Sequence, residues 1–220
     1  MTIPENLKHF KSELPENVTL VAVSKTKPNE DIMEAYNAGH RIFGENKVQE
    51  MTDKYEALPK DIEWHMIGHV QSNKIKYMVP FVSLIHGVDR MKLLKEINKQ
   101  GEKHDRVINC LLQIKIAEED SKFGMTDKKA EEILKSDTLS GFKFVNIKGV
   151  MGMATFTDDE AQIKKEFSFL KTTFDKLKTY HSANSNLEII SMGMSGDYQL
   201  AVACGSNMVR IGSSIFGERD

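Results

Sequence analysis

Eight short runs rich in β-branched and aliphatic residues alternate with amphipathic stretches of helical period, and nothing else constrains the fold of this chain as strongly. The runs fall at residues 20–25, 41–46, 63–68, 84–88, 107–116, 147–154, 188–192 and 208–211. They are nearly continuous in apolar residues, as strands of a parallel sheet must be when helices cover them. The intervening segments carry helix punctuation. Asn29 is placed to cap a helix with Glu30 and Asp31 in its first turn, and Gly39 follows its end. Thr126-Asp127 opens another helix, Asp158-Asp159-Glu160 opens the longest, over 158–181, and an additional helix over 4–13 precedes the first strand.

Eight strands of this kind can form an open sheet or a closed barrel. Lys25, Asn46, His65, Asp89, Ser191 and Arg210 all lie at or just beyond the C-terminal ends of different runs. A closed barrel gathers those ends around one mouth, whereas an open sheet uses only the strands beside its switch point. The expectation is therefore an α/β fold, a single (β/α)8 TIM barrel over residues 1–220, with no linker or composition break inside it. The chain ends at Asp220, too soon for a full helix after the eighth strand, so the helix over 4–13 is expected to cover that flank instead.

Composition excludes several classes of function. Net charge is −2, with 30 basic and 32 acidic residues interspersed, so no basic stripe points to nucleic acid or a membrane surface. No apolar run approaches the roughly 20 residues of a membrane span, and no signal-peptide core is present at the N-terminus. Cys110 and Cys204 lack metal-ligand spacing and sit in apolar contexts, which predicts two buried thiols in a reducing compartment. A cytoplasmic protein with a small-molecule ligand is expected.

The chemistry concentrates at the two ends of the chain. In residues 207–217 a strand runs into a small polar turn, where Gly212, Ser213 and Ser214 offer backbone N–H groups and hydroxyls to an anion, with Arg210 just upstream. Ser195, in the loop after the seventh strand, is a second anion-binding candidate, although a plain serine cap has the same sequence. Barrels commonly bind phosphate in the loops after strands 7 and 8. Near the other end, Lys25 continues the face of Val21 and Val23, which turns it inward, while Lys27 lies further out before Pro28. A desolvated lysine beside a phosphate cradle suits a phosphorylated aldehyde held as a Schiff base. The alternative readings are plain: a strand-end lysine is commonly a solvated charge, His65 can serve as a base or simply bond backbone, and Lys122 reads as a loop charge.

Ala22-Val23-Ser24-Lys25-Thr26-Lys27-Pro28, Phe43-Gly44-Glu45-Asn46, Trp64-His65-Met66-Ile67-Gly68 with Gln71-Ser72-Asn73-Lys74, Ser191-Met192-Gly193-Met194-Ser195 and Arg210-Ile211-Gly212-Ser213-Ser214-Ile215-Phe216-Gly217 together resemble the successive motifs of the pyridoxal phosphate homeostasis proteins. That resemblance spans nearly the whole chain. It implies a barrel of the alanine racemase N-terminal domain type without the racemase's C-terminal β-domain, and pyridoxal 5′-phosphate (PLP) as cofactor. It further implies a Schiff base on Lys25, Arg210 facing the pyridine nitrogen, Ser195, Gly212 and Ser213 holding the phosphate, Ser191 as a further cofactor-binding residue, and Asn46 and His65 lining the mouth. The function implied is storage, buffering or delivery of PLP without catalytic turnover, by a monomer, with free amino acids or apo-forms of PLP enzymes as candidate partners. His69-Val70 departs from the usual pattern.

A PLP-dependent racemase is the competing reading. Racemisation needs acid/base groups on both faces of the substrate carbanion, and Lys25 supplies one. In the racemases that the family resembles, the opposing tyrosine comes from a partner's C-terminal domain. A barrel enzyme using Lys25 on a sugar phosphate is a third reading.

Overall fold

A computed structural model describes residues 2–119 and 123–217. The eight runs are strands β1 (Thr19–Val23), β2 (Ile42–Glu45), β3 (Glu63–Met66), β4 (Leu84–Val88), β5 (Ile108–Gln113), β6 (Val145–Met151), β7 (Ser185–Met194) and β8 (Met208–Ile211). Each pairs in parallel with its neighbours in the chain. β1 also pairs with β8, Thr19 opposite Met208 and Ala22 opposite Ile211, so the sheet closes as the position of the polar residues predicted. The helices are α1 (Ile3–Glu13), α2 (Asn29–Asn37), α3 (Val48–Ala57), α4 (Ile75–Met78), α5 (Met91–Lys103), α6 (Asp127–Leu134), α7 (Asp137–Ser140), α8 (Glu160–Leu177), α9 (Tyr198–Ala203) and α10 (Ser213–Phe216). Among the described residues no helix is long and apolar enough to cross a membrane.

Strand periodicity sorts the core into two compartments. Val21, Leu84, Leu111, Met151 and Met208 form a buried cluster drawn from five strands and no helix, the filling of the barrel. Their neighbours Ala22, Ile85, Cys110, Leu112, Val150 and Val209 face the other way, joining Ile32, Met51, Leu94, Phe167 and Leu170 of the helices. Val21 inward and Ala22 outward place Val23 on the inner face, above the filling, and Lys25 follows in the turn after the strand.

α1 takes the place left by the short segment after β8. Thr2 and Glu5 form a reciprocal capping box at its start, and Leu7 and Phe10 are buried on its inner side. Asn6 Nδ2 donates to the Ile215 carbonyl at 3.0 Å, and Phe10 meets Tyr198 edge to face, so α1 fastens both α10 and α9.

Several boundaries differ from the sequence reading. Pro28, not Asn29, occupies the cap of α2; its hydrocarbon ring has no acceptor to make a side-chain cap, while its φ of −68° suits the entry. β5 ends at Gln113, where Ile114 bridges to Met125 and the chain leaves the barrel. β7 extends to Met194 through an irregularity in its register with β8 between Ser191 and Met194. α8 is shorter than 158–181, capped by Asp159 Oδ1 on Ala161 N at 2.9 Å. Cys110 is buried as expected, whereas Cys204 is only half-buried between α9 and α8.

Candidate functional site

The C-terminal ends of the strands open onto a cavity of about 590 Å³. Lys25 reaches its wall from the end of β1, Asn46 from β2, Ile67, Gly68 and His69 from β3, and Arg210, Gly212 and Ser213 from β8. Ser195 and Asp197 close it after β7. Six of the residues singled out in the sequence, Lys25, Asn46, Ser195, Arg210, Gly212 and Ser213, thus share one cavity. Lys27 lines it as well; Lys122 lies outside the described residues.

Close backbone approach shapes the polar wall. A Cβ on Gly212 would lie 3.2 Å from both Val23 Cβ and the Val23 carbonyl oxygen, so any larger residue would crowd this turn against β1. Gly212 N donates to Ser195 Oγ at 3.3 Å, joining the loops after β7 and β8 into one small polar concavity with Ser213 at its rim. Asp197 is turned to accept from Met194 N at 2.6 Å, and burial raises its pKa. A Cβ on Gly68 would fall 2.3 Å from the Asn46 carbonyl oxygen, the contact that holds Asn46 in place. Asn46 Oδ1 is buried without a hydrogen-bond partner.

Arg210 is the buried cation of the site, 3% exposed. Nη1 donates to the Ser191 carbonyl at 2.9 Å and to Ser191 Oγ at 2.6 Å, and Nη2 donates to the Gly152 carbonyl at 3.1 Å. Burial lowers its pKa to about 10, against the pull of Asp197, so it stays charged at neutral pH. Behind it, Ser191 Oγ lies 3.0 Å from His86 Nδ1, and His86 Nε2 lies 3.1 Å from His65 Nδ1. Burial holds His65 near a pKa of about 3 and His86 well below the usual histidine value, so both rings are neutral. Because Arg210 can only donate, Ser191 Oγ accepts from it and its own proton is available to His86.

This chain corrects two expectations. His65 does not line the mouth and Ser191 does not reach the cavity. Both side chains are buried in the barrel beneath Arg210, because His65 lies inside β3 and the extended β7 leaves Ser191 in mid-strand. His86 was missed, although it follows the inward Leu84 at strand spacing; the register shift between Ile85 and Val88 then turns Val88 to the outer face. His69 at the rim, stacked on Phe123 at 4.2 Å and 3.4 Å from Asp89, carried no periodic signal because it sits in a loop. Among the described residues no cluster suited to a metal ion exists. An inward lysine, a buried arginine and a small anion cradle on one cavity suit a ligand with a carbonyl, a ring acceptor and a phosphate.

Fold and mouth together define a barrel of the alanine racemase N-terminal type, and the family model described as alanine racemase, N-terminal domain, matches residues 2–220. A Helicobacter pylori (strain 26695) pyridoxal phosphate homeostasis protein is 42% identical, covering 91% of this chain and 88% of its own length, and the Escherichia coli K12 protein of the same name is 36% identical over 94% and 88%. The chain belongs to the pyridoxal phosphate homeostasis protein family. PipY of Synechococcus elongatus PCC7942, solved without PLP, superposes with a TM-score of 0.92 at 35% identity over 98% of this chain and 100% of its own. The same protein with PLP bound gives 0.88. An alanine racemase of Clostridium difficile shares the fold, with a TM-score of 0.83 at 14% identity, this chain covering 60% of it.

Proposed function

We propose that this protein binds PLP at the barrel mouth as a Schiff base on Lys25 and serves cellular PLP homeostasis by holding and releasing the cofactor. The observation that carries the reading is the convergence of Lys25, Arg210 and the Ser195–Gly212–Ser213 concavity on one cavity. The residues fit the group: the Ser195 and Ser213 hydroxyls and the Gly212 turn suit an anion, and Asn46, whose buried Oδ1 lacks a partner, belongs to the same wall. Bound there, PLP supplies an electrophilic aldehyde and an electron-withdrawing ring.

Lys25 would supply the amine that holds the aldehyde as an imine, a C=N bond replacing C=O with loss of water. Serine hydroxyls and backbone N–H groups hold the phosphate. Arg210, charged and donor-only, would face the ring nitrogen without transferring a proton to it, which would leave the ring a weak electron sink. That favours exchange of the imine with an incoming amine over carbanion chemistry. The names of the relatives, which describe homeostasis and no reaction, support a carrier.

Borohydride reduction of the PLP-treated protein followed by peptide mapping tests the assignment. The label should sit on Lys25 and vanish in Lys25→Ala; a label confined to Lys27 or Lys122 sinks it. Incubation with L-alanine in deuterated water tests the racemase alternative, which gains if D-alanine forms at enzyme-like rates and Lys25→Ala abolishes it.

A further inference from the structure

A densely bonded polar cluster, formed by Glu45, Lys54 and Glu50, grips the two neighbours of Lys25. Glu45, at the end of β2, is fully buried, and its Oε1 accepts from Ser24 Oγ at 2.6 Å and from Lys54 Nζ at 2.8 Å. Lys54 of α3 is itself buried and donates to the Ser24 carbonyl at 2.8 Å and to Glu50 Oε1 at 2.7 Å. Glu50, one turn earlier on α3, accepts the backbone N–H of Thr26 at 2.5 Å. Ser24 and Thr26 are the two neighbours of Lys25, so the cluster grips the chain on both sides of the lysine.

From this arrangement we propose that Glu45, Lys54 and Glu50 act as a clamp that positions the Lys25 amine for imine formation, an inference that rests on the cofactor reading above. A buried ion pair is a poor device for stability alone, since desolvation of its charges offsets their attraction, and apolar residues of similar volume often serve as well. Glu45 Oε2 adds to that cost, because it is buried with no partner. The backbone at Thr26 has φ +66°, an unfavourable left-handed conformation for a β-branched residue, and the Glu50 contact holds it there. Three elements, β1, β2 and α3, are thereby locked at the point where the strand ends and the lysine side chain leaves it. Without the clamp, residues 24–26 are free to relax, and the Nζ position is no longer fixed relative to a phosphate held across the barrel by the β7 and β8 loops.

The test separates positioning from support of the fold. The full-length protein and its Glu50→Ala and Lys54→Met variants are mixed with PLP, and the rate of borohydride-trappable adduct formation at Lys25 is measured. Binding of pyridoxine 5′-phosphate, which carries an alcohol in place of the aldehyde, is measured in parallel together with the thermal midpoint. The clamp variants should form adduct about tenfold to 100-fold more slowly, the scale of a small misplacement of a reacting group, while pyridoxine 5′-phosphate binding stays near the wild-type value. Adduct rates equal to wild type, or parallel losses for both ligands, overturn the clamp. If Lys54→Met does not fold, Glu50→Ala, whose side chain is 22% exposed, carries the measurement alone. Absence of any adduct at Lys25 in the wild type is a different failure: it overturns the cofactor reading itself.

Discussion

Gly212 has a negative φ of −121°, and a Cβ there would crowd Val23 at 3.2 Å. Gly212→Val should therefore push the β8 turn off Val23 and weaken PLP binding far more than pyridoxal binding, because only PLP uses the anion concavity. Titration of both ligands decides; equal losses would place the phosphate elsewhere. Ser191 serves Arg210 rather than the ligand directly. Removing its hydroxyl leaves Arg210 Nη1 and His86 Nδ1 each short of a buried partner, so Ser191→Ala should lower stability by about 1–3 kcal/mol, measured by urea unfolding. A variant as stable as wild type would show that the Ser191 carbonyl alone satisfies the guanidinium.

α1 and α10 belong together although they lie at opposite ends of the chain. Leu7 is 1% exposed and Asn6 holds the Ile215 carbonyl, so α1 braces the four-residue helix whose first residue is Ser213. Leu7→Ala should cost about 2–5 kcal/mol by opening a cavity, read from the denaturation midpoint. It should also weaken PLP affinity through the loosened Gly212–Ser213 turn. Lost stability with unchanged affinity would show that the cradle is held by β8 and Val23 alone.

Over the whole molecule, three buried histidines set the acid limit of stability. Burial lowers the pKa of His40 to about 4 and that of His65 to about 3, and it holds that of His86 well below the usual value of 6.5. Below pH 6.5 the unfolded chain binds protons that the folded chain refuses, so stability is full above that pH and is lost as pH falls toward the folded values. The slope is about 1.4 kcal/mol per pH unit for each histidine, about 4 for three. Glu45, whose pKa is raised by burial, acts with the opposite sign. Unfolding free energies extrapolated from urea titrations at about pH 5 and about pH 7 should differ by several kcal/mol; equal values would mean that the rings are protonated in the folded state. One closed sheet also implies one cooperative unit. Trp64, fully buried on the outer face of β3, should lose its native emission at the same denaturant concentration as the far-UV signal, and separated transitions would argue against a single domain.

The eight-strand alternation, the inward parity of Lys25 and the glycine-serine turn after β8 were legible in the sequence because each depends on local period or on the chemistry of adjacent residues. The closure of the barrel was legible only indirectly, through polar residues collected at strand ends. What the sequence left open was depth. Whether a strand histidine or serine faces the mouth or lies a layer beneath it depends on strand stagger and on register shifts such as the one between Ser191 and Met194, which no local pattern records. His65 and Ser191 were therefore assigned to the mouth when they support it from below, and His86 was passed over. The contacts around Lys25 were equally hidden, since Ser24, Glu45, Glu50 and Lys54 meet only when β1, β2 and α3 pack together. Periodicity fixes which face a side chain takes, but only the packed tertiary structure fixes how far along the barrel axis it sits and which charges it meets there.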